Sequence, residues 1–483
     1  MLLTFVILYL VLSIAIGIIA ALRVHNTRDF VLAGRTLPLY VVTAMVCATW
    51  FGSETVLGIS STFIKEGLRG IVADPFGSSL CLVLVGLFFA AKLYRMDLLT
   101  IGDYYRIRYD ATAELLTSLC IVVSYLGWLS AQIVVIGLVF NVVTGGAVSM
   151  DAGIVIGAAV VLVYTLWGGM YSVAWTNFVQ MIIIIVGLLY IFVLIADKAG
   201  GVGTVVSHAH AAGKLEFWPR LEARDVLTFI GAAVTLMLGS IPQQDVFQRV
   251  TSARSERVAV AGSVLGGVFY FLLAFIPIFL AYSASLIDPG MVAGLIDKDH
   301  QQILPTLIIG HTPLVAQILF FGALLSAVMS TASATLLAPS VTFTENVLKK
   351  FLRRELDDRE FLRAMRIVVA AFAVGVTAFA LNSNSTIYEM VVGAYKVTLV
   401  AAFVPLAAGL YWRRATAQGA LAAIVGGLVT WIALEVVAPD GLFPPQLAGL
   451  VASIAGMLLG SLAPRWYGAK TGKRGSWLAD RDS

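Results

Sequence analysis

The sequence predicts an all-α integral membrane protein, and three observations carry that prediction. Hydrophobic residues make up 59% of the chain and charged residues only 12%, whereas soluble domains carry about a quarter charged residues. Apolar runs recur at the length of about 20 residues that crosses roughly 30 Å of hydrocarbon. Lys and Arg gather in alternate connections between those runs, as the positive-inside rule requires. The lipid bilayer is therefore the first partner the sequence implies.

In chain order the runs are 2–22, 37–64, 71–92, 114–143, 152–170, 176–197, 225–242, 259–285, 313–345, 367–384, 387–411, 416–438 and 446–464, thirteen expected spans. No basic residue precedes the first run, which argues for a retained span and against a cleaved signal peptide. Its basic flank, Arg23, Arg28 and Arg35, follows it. That places the N-terminus outside and, after an odd number of spans, the C-terminus inside. Most of the 32 Lys and Arg residues then lie on the cytoplasmic side. The net charge of +4 thus reports topology, and no nucleic acid is expected. The stretch "KKFLRRELDDREFLRAMR" (349–366) reads as a cytoplasmic connector with interleaved acids; a polyanion site is the less economical alternative. Cys47, Cys81 and Cys120 all lie in apolar runs, which implies buried thiols and argues against a disulfide framework or a metal site. The tail from Arg465 is polar and reads as loosely ordered.

Two runs contain breaks where helix-forming logic fails. One lies at Ala48–Ser53 in "CATWFGSETVLG"; the other is "GSIPQQD", Gly239–Asp245, where Pro242 removes a backbone donor and Gly239 weakens the helix. Five spans follow from each break, giving candidate repeats 37–197 and 225–411. Around them stand an N-terminal extra span and loop (1–36), an external loop (198–224), two further spans (412–464) and a tail (465–483). Inverted-repeat transporters place discontinuous helices at matching positions of two halves, with binding sites near mid-membrane. A pair of unrelated kinks is the alternative.

The polar residues near the breaks agree with a lined path. Glu54, Gln132, Gln243, Gln244, Asp245 and Lys396 sit within or at the edge of spans, where ionisable groups are costly and face a cavity or a partner. Asp245 and the two glutamines have a second reading, as the solvated end of a short span. For Glu54 and Lys396, flanked by apolar sequence, a mutual ion pair is the expectation, with two separately solvated groups as the alternative. In the ninth run, "ALLSAVMSTASATLLAPS" is dense in hydroxyls. Helix packing explains most of them, but adjacent Ser330 and Thr331 would suit a small dehydrated cation beside freed backbone carbonyls.

At these residues a family resemblance appears. The blocks "FVLAGRTLPL", "ATWFGSETVLG", "YTLWGGMYSVAWTNFVQ", "GSIPQQDVFQRV" and "LSAVMSTASATLL" together resemble the sodium:solute symporter family, across roughly residues 25 to 465. The resemblance implies a leucine-transporter-type fold of five-plus-five inverted repeats, about thirteen spans, and sodium-coupled symport by alternating access across the plasma (cell inner) membrane. It implies Na+ as coupling ion, held by the carbonyls of Ala48, Phe51 and Ala327 and the hydroxyls of Ser330 and Thr331. Trp50 and Trp128 match aromatic cage positions of the choline branch. That branch has a tryptophan at Gln243 and a tyrosine at Ser78, so the cage is incomplete. A lining of Gln243, Gln244, Gln132 and Ser78 would serve an amino acid, quaternary amine, carboxylate or urea-like solute, with Lys396 as a fixed charge; packing indoles are the plainer reading of the two tryptophans.

Other classes find little support. The five histidines are expected in loops, and no GxSxG, HExxH or phosphate-binding loop is present. An enzyme is not expected. A proton-coupled symporter, a channel or an intramembrane enzyme are the alternatives to sodium symport, and a monomer is expected.

Overall fold

The structure is a computed structural model and describes residues 1–22, 24, 26–352 and 357–464. The expected tail from Arg465, together with Arg23, His25 and part of the 349–366 connector, lies outside the described residues.

Helix α1, Leu2–Ala21, is followed by α2, Leu39–Trp50. The chain leaves helical geometry at Phe51 (φ −87°, ψ 72°) and resumes at Glu54 in a wide π turn, opening α3 (54–66). After a turn come α4 (72–95) and α5, Ala111–Val143, whose N-cap Asp110 accepts from the backbone N–H groups of Thr112 and Ala113. Next is α6, Met150–Lys198, helical but for Gly169 (φ 50°, ψ −151°). Helices α7, Ala223–Gly239, and α8, Gln244–Ser252, meet at a 45° bend. The remaining helices are α9, Glu256–Ile287; α10, Leu314–Leu352; α11, Asp358–Asn382; α12, Ile387–Tyr411; α13, Ala417–Val437; and α14, Pro445–Leu462.

Among the described residues ten helices are long and apolar enough to cross a membrane, or eleven with the bent α7–α8 pair as one. Each of the thirteen expected runs falls on helix, although Leu39–Trp50 and Met150–Val163 are short apolar helices. Both predicted breaks are present, at 51–53 and 240–243. The connector before the tenth run turns helical at Asp358, where Asp357 and Glu360 form a capping box that starts α11. One expectation fails: the histidines are not all in loops, since His208 and His210 lie on the helix Val202–Ala211, His300 on a short helical turn and His311 at the end of the helix Ile303–His311.

Burial is inverted relative to a soluble protein. Large apolar side chains such as Val186, Val193, Val374 and Leu459 are exposed on the outside, toward lipid. Every residue of α10 from Ala323 to Thr342 is buried, including its serines and threonines. With apolar solvent outside, small and hydroxyl residues mark the helix interior, since they permit close approach and interhelical hydrogen bonds.

The break in α6 is a close approach. A Cβ on Gly169 would lie 2.5 Å from the Phe30 carbonyl oxygen, and its backbone conformation is open essentially to glycine alone. Gly169→Ala should therefore cost at least about 1–3 kcal/mol, read as a lower unfolding midpoint in detergent; an unchanged midpoint would contradict this geometry.

Candidate functional site

The break after Trp50 leaves the last carbonyls of α2 without intrahelical donors. Helix α10 supplies those donors. Ser330 Oγ donates to the Ala48 carbonyl at 2.5 Å and lies 2.8 Å from that of Ala327. Thr331 Oγ1 donates to the Thr49 carbonyl at 2.8 Å and lies 3.2 Å from that of Ala327. Of the expected cation ligands, Ala48, Ala327, Ser330 and Thr331 come together. The carbonyl that completes the two hydroxyl contacts is that of Thr49, which the sequence reading missed. Phe51 instead shows its ring edge-on to Tyr270, with centroids 6.3 Å apart.

A buried ion pair braces this junction. Arg249 Nε and Nη2 donate to Thr49 Oγ1 at 3.0 and 2.7 Å, and Asn177 Nδ2 donates to the same oxygen at 3.2 Å. Arg249 Nη1 lies 2.6 Å from the Asp245 carbonyl and 3.8 Å from Asp245 Oδ2. The Tyr125 hydroxyl donates to Asp245 Oδ1 at 2.5 Å and accepts from the Asp245 backbone N–H at 2.9 Å. The ion pair on α8 thus fastens α2 and α5, and Asn177 on α6 joins it at Thr49. Both residues are buried, which overturns the alternative reading of Asp245 as the solvated end of a short span. The Asp–Arg spacing of four residues on an interrupted helix was the available signal.

Beside the junction, Glu54 is surrounded by donors. Trp128 Nε1 donates to Oε1 at 3.1 Å, while Gln132 Nε2 and Ser53 Oγ approach Oε2 at 2.8 and 3.4 Å. Gln132 Oε1 accepts from the Ser53 N–H at 2.9 Å, holding the amide in this orientation. Gly52 keeps the space between: a Cβ there would meet Glu54 Oε2 at 2.6 Å, Thr331 Oγ1 at 2.7 Å and Gln132 Oε1 at 2.9 Å. Glu54 and the hydroxyls on α10 therefore share one wall.

Three aromatic rings close over this region. Trp50, Trp128 and Tyr395 have mutual centroid separations of 5.7, 5.9 and 5.4 Å, and Tyr125 stacks on Trp128 at 6.0 Å. The Trp50 indole N–H and the Tyr395 hydroxyl are buried and have no hydrogen-bond partner among the described residues. Leaving such groups unpaired costs about 1–3 kcal/mol each, and the two lie at one aromatic cluster. Tyr395 went unrecognised because one aromatic in an apolar run carries no distinguishing pattern.

The other expected lining residues scatter. Gln243 Nε2 donates to Ser124 Oγ and Thr398 Oγ1 at 3.0 and 3.3 Å. Gln244 Oε1 accepts from the Ile101 N–H at 2.8 Å, at the short helix Ile101–Arg108. Ser78 is buried beside Asp74. Lys396 does not pair with Glu54. It binds Glu435 on α13 at 2.8 Å, in a pocket shared with Arg69, Arg224 and Asp440. Adjacent helix residues point about 100° apart, so a helix that turns Tyr395 inward must turn Lys396 toward its neighbour.

A broken helix whose freed carbonyls meet hydroxyls on a second buried helix, with a carboxylate and aromatic rings alongside, defines a secondary transporter of the leucine-transporter type. The fold of a Na+-coupled sialic acid symporter in its substrate-bound outward-open state superposes with a TM-score of 0.80, covering 96% of this chain and 98% of that one at 18% identity. The nucleobase-cation-symport-1 family transporter Mhp1, in a closed conformation, superposes with a TM-score of 0.59, covering 91% of this chain and 96% of that one at 16% identity. The model of the sodium:solute symporter family matches residues 30–427, and the chain belongs to that family. Relatives include the human high affinity choline transporter 1, 29% identical over 437 residues, 88% of this chain and 75% of that protein. The sodium/proline symporter of Haemophilus influenzae is 29% identical over 466 residues, 91% of this chain and 88% of that one. The protein is thus a multi-pass membrane transporter, not an enzyme, that moves a small solute by secondary active symport with Na+ as the coupling ion.

The two ion pairs of this region should respond differently to removal. Arg249→Ala leaves Asp245 buried without its partner and should cost roughly 3–5 kcal/mol. Lys396→Ala breaks a partly exposed pair and should cost about 0–1 kcal/mol. Unfolding midpoints of the two variants in detergent compare them directly, and equal losses would contradict this assignment.

Proposed function

We propose that the chain carries Na+ inward together with a small organic solute bearing a positively charged nitrogen. The observation that carries the solute class is Glu54, a buried carboxylate that takes three donors yet forms no ion pair among the described residues. A buried charge is stable only when compensated, and a cationic group arriving beside Glu54 supplies what the amide and indole donors supply only in part. The faces of Trp50, Trp128 and Tyr395 attract the same group through their ring quadrupoles. Choline and proline, named for two of the relatives, both carry such a nitrogen. A solute that is only a carboxylate would meet Glu54 with like charge.

Na+ is assigned to the oxygens of Ala48, Thr49, Ala327, Ser330 and Thr331, with Phe51 retained from the family pattern as a further carbonyl. The fit rests on donor chemistry: hard oxygens from two helices converge within hydrogen-bond distance, and in the structure the hydroxyl protons occupy the carbonyls that a cation would engage. Bound there, Na+ ties α2 to α10 and shifts the balance of conformations by its differential affinity for the arrangement that holds both helices. The shared wall at Gly52 links that tie to Glu54, so solute and ion favour the same arrangement. The repeats are assigned to 37–197 and 225–411, with thirteen spans, the N-terminus outside and the C-terminus inside.

Replacing both Ser330 and Thr331 by Ala should raise the sodium concentration for half-maximal uptake at least tenfold, equivalent to about 1.4 kcal/mol; unchanged sodium dependence would remove the ion from this position. Thermal unfolding with choline and proline as probes should show stabilisation that requires Na+, about 2.7 kcal/mol at a hundred times Kd, and that disappears in Glu54→Gln. Stabilisation by organic anions instead, retained in that variant, would overturn the cationic class.

A further inference from the structure

A second buried acid stands apart from the site just described. Asp74, on α4, is 2% exposed and forms no ion pair among the described residues. Its Oδ1 lies 2.5 Å from the Tyr270 hydroxyl on α9. That hydroxyl is 3.0 Å from Thr55 Oγ1 on α3, and Thr55 Oγ1 donates to the Trp50 carbonyl at 3.1 Å. The result is a chain of three contacts: Asp74 to Tyr270, Tyr270 to Thr55, and Thr55 to the last residue of α2.

Counting protons along this chain decides the state of Asp74. A carbonyl oxygen only accepts, and so does an ionised carboxylate. If Asp74 were ionised, two acceptors would bracket two hydroxyls, leaving two protons for three contacts, and one pair of buried oxygens would face each other with no proton between them. If Asp74 carries a proton, each contact has one: Asp74 donates to Tyr270, Tyr270 to Thr55, and Thr55 to the Trp50 carbonyl. Leaving buried oxygens unpaired costs more than each bond contributes, and an ionised carboxylate without a cation is costlier still at this depth.

The groups facing Asp74 do not change the count. They are Tyr270 from α9, Ser78 from its own helix, Glu54 from α3 and Tyr388 from α12. Helix α7, packed here where Gly77 approaches the Ala233 carbonyl, bears only Arg224 and Asp225, which line the pocket around Lys396. The turn before α4 carries Arg69, bonded to Glu216. None is a cation at the carboxyl. Glu54 takes its own donors from Trp128, Gln132 and Ser53 and adds no proton to this chain of contacts.

We propose that Asp74 is a proton-binding site of this transporter, holding one proton that completes a hydroxyl relay from α4 through α9 to the broken end of α2. The proton comes from the aqueous phase. It returns there when α9 and α4 part from α3, because separation of Tyr270 from Thr55 removes the contact that the proton completes. The break that presents carbonyls to α10 on one side is thereby tied to a protonation event on the other.

The test is made on the full-length protein in detergent by infrared spectroscopy, with Asp74→Asn and Tyr270→Phe variants. The wild-type minus Asp74→Asn spectrum at neutral pH should contain a protonated-carboxyl C=O band. Tyr270→Phe should keep that band but move it to higher frequency, as a carboxyl that has lost its hydrogen bond. The Asn amide donates to the Tyr270 oxygen without a titratable proton, so Asp74→Asn should keep the wild-type unfolding midpoint within about 2–4 °C, the shift that roughly 1 kcal/mol produces. It should also remove an alkaline loss of midpoint seen in the wild type, since stability supplied by a bound proton is lost as pH rises. Carboxylate bands in place of the protonated band would overturn the assignment, as would wild-type and Asp74→Asn midpoints that fall together with pH. Neither readout requires solute or sodium, so failure here leaves the symport reading untouched.

Discussion

The structure depends on one constraint: a backbone polar group inside a membrane must be satisfied from within the protein. When α2 stops at Trp50, its final carbonyls need donors that water cannot bring. Ser330 and Thr331 meet those of Ala48 and Thr49, and Thr55 meets that of Trp50. Each donor comes with obligations of its own. The two hydroxyls on α10 require that helix to lie against α2 along a small-residue face, and Gly52 permits the approach. Thr55 brings Tyr270 and Asp74 with it. The break is thus the point to which three parts of the molecule are bound by necessity.

The two buried acids near that point differ because their neighbours differ. Glu54 has nitrogen donors from Trp128 and Gln132, which stabilise negative charge in place. Asp74 has a hydroxyl whose own proton is claimed further along the chain. Under the two proposals, one environment suits a carboxylate that meets a cation and the other a neutral acid. Two residue types of nearly identical chemistry are sorted into different roles by the supply of protons around them, a pattern familiar from acid–base pairs in enzymes.

Arg249 shows how such a site is kept rigid. Its guanidinium is wholly buried, yet its donors reach Thr49 Oγ1, the Asp245 backbone and the Asp245 side chain. A planar fork that fills several acceptors at once tolerates burial better than an ammonium would. Because Thr49 also offers its carbonyl to Thr331, the ion pair on the second broken helix and the hydroxyls on α10 act on the same residue of the first. The two helix breaks are mechanically joined there.

The all-helical membrane class and both breaks were legible from the chain alone, because length, apolarity and the absence of helix-forming residues are local properties. So were Ser330 and Thr331, whose adjacency in an apolar helix is unusual by itself. Family motifs pointed to Trp50 and Trp128 together, and their rings lie 5.7 Å apart; that Trp128 and Gln132 both reach Glu54 came from the structure. The partner of Lys396 was not legible. Glu54 and Glu435 both lie in apolar sequence, and only the rotation of α12, set by packing Tyr395 against two indoles, chooses between them. Thr49, the partners of the Asp245–Arg249 pair and the Asp74–Tyr270–Thr55 relay likewise became visible only in three dimensions. Hydropathy says which segments enter the membrane, but lipid and protein interior are both apolar, so it does not say which way a helix faces. That choice belongs to the tertiary structure, where each buried polar atom must find its partner.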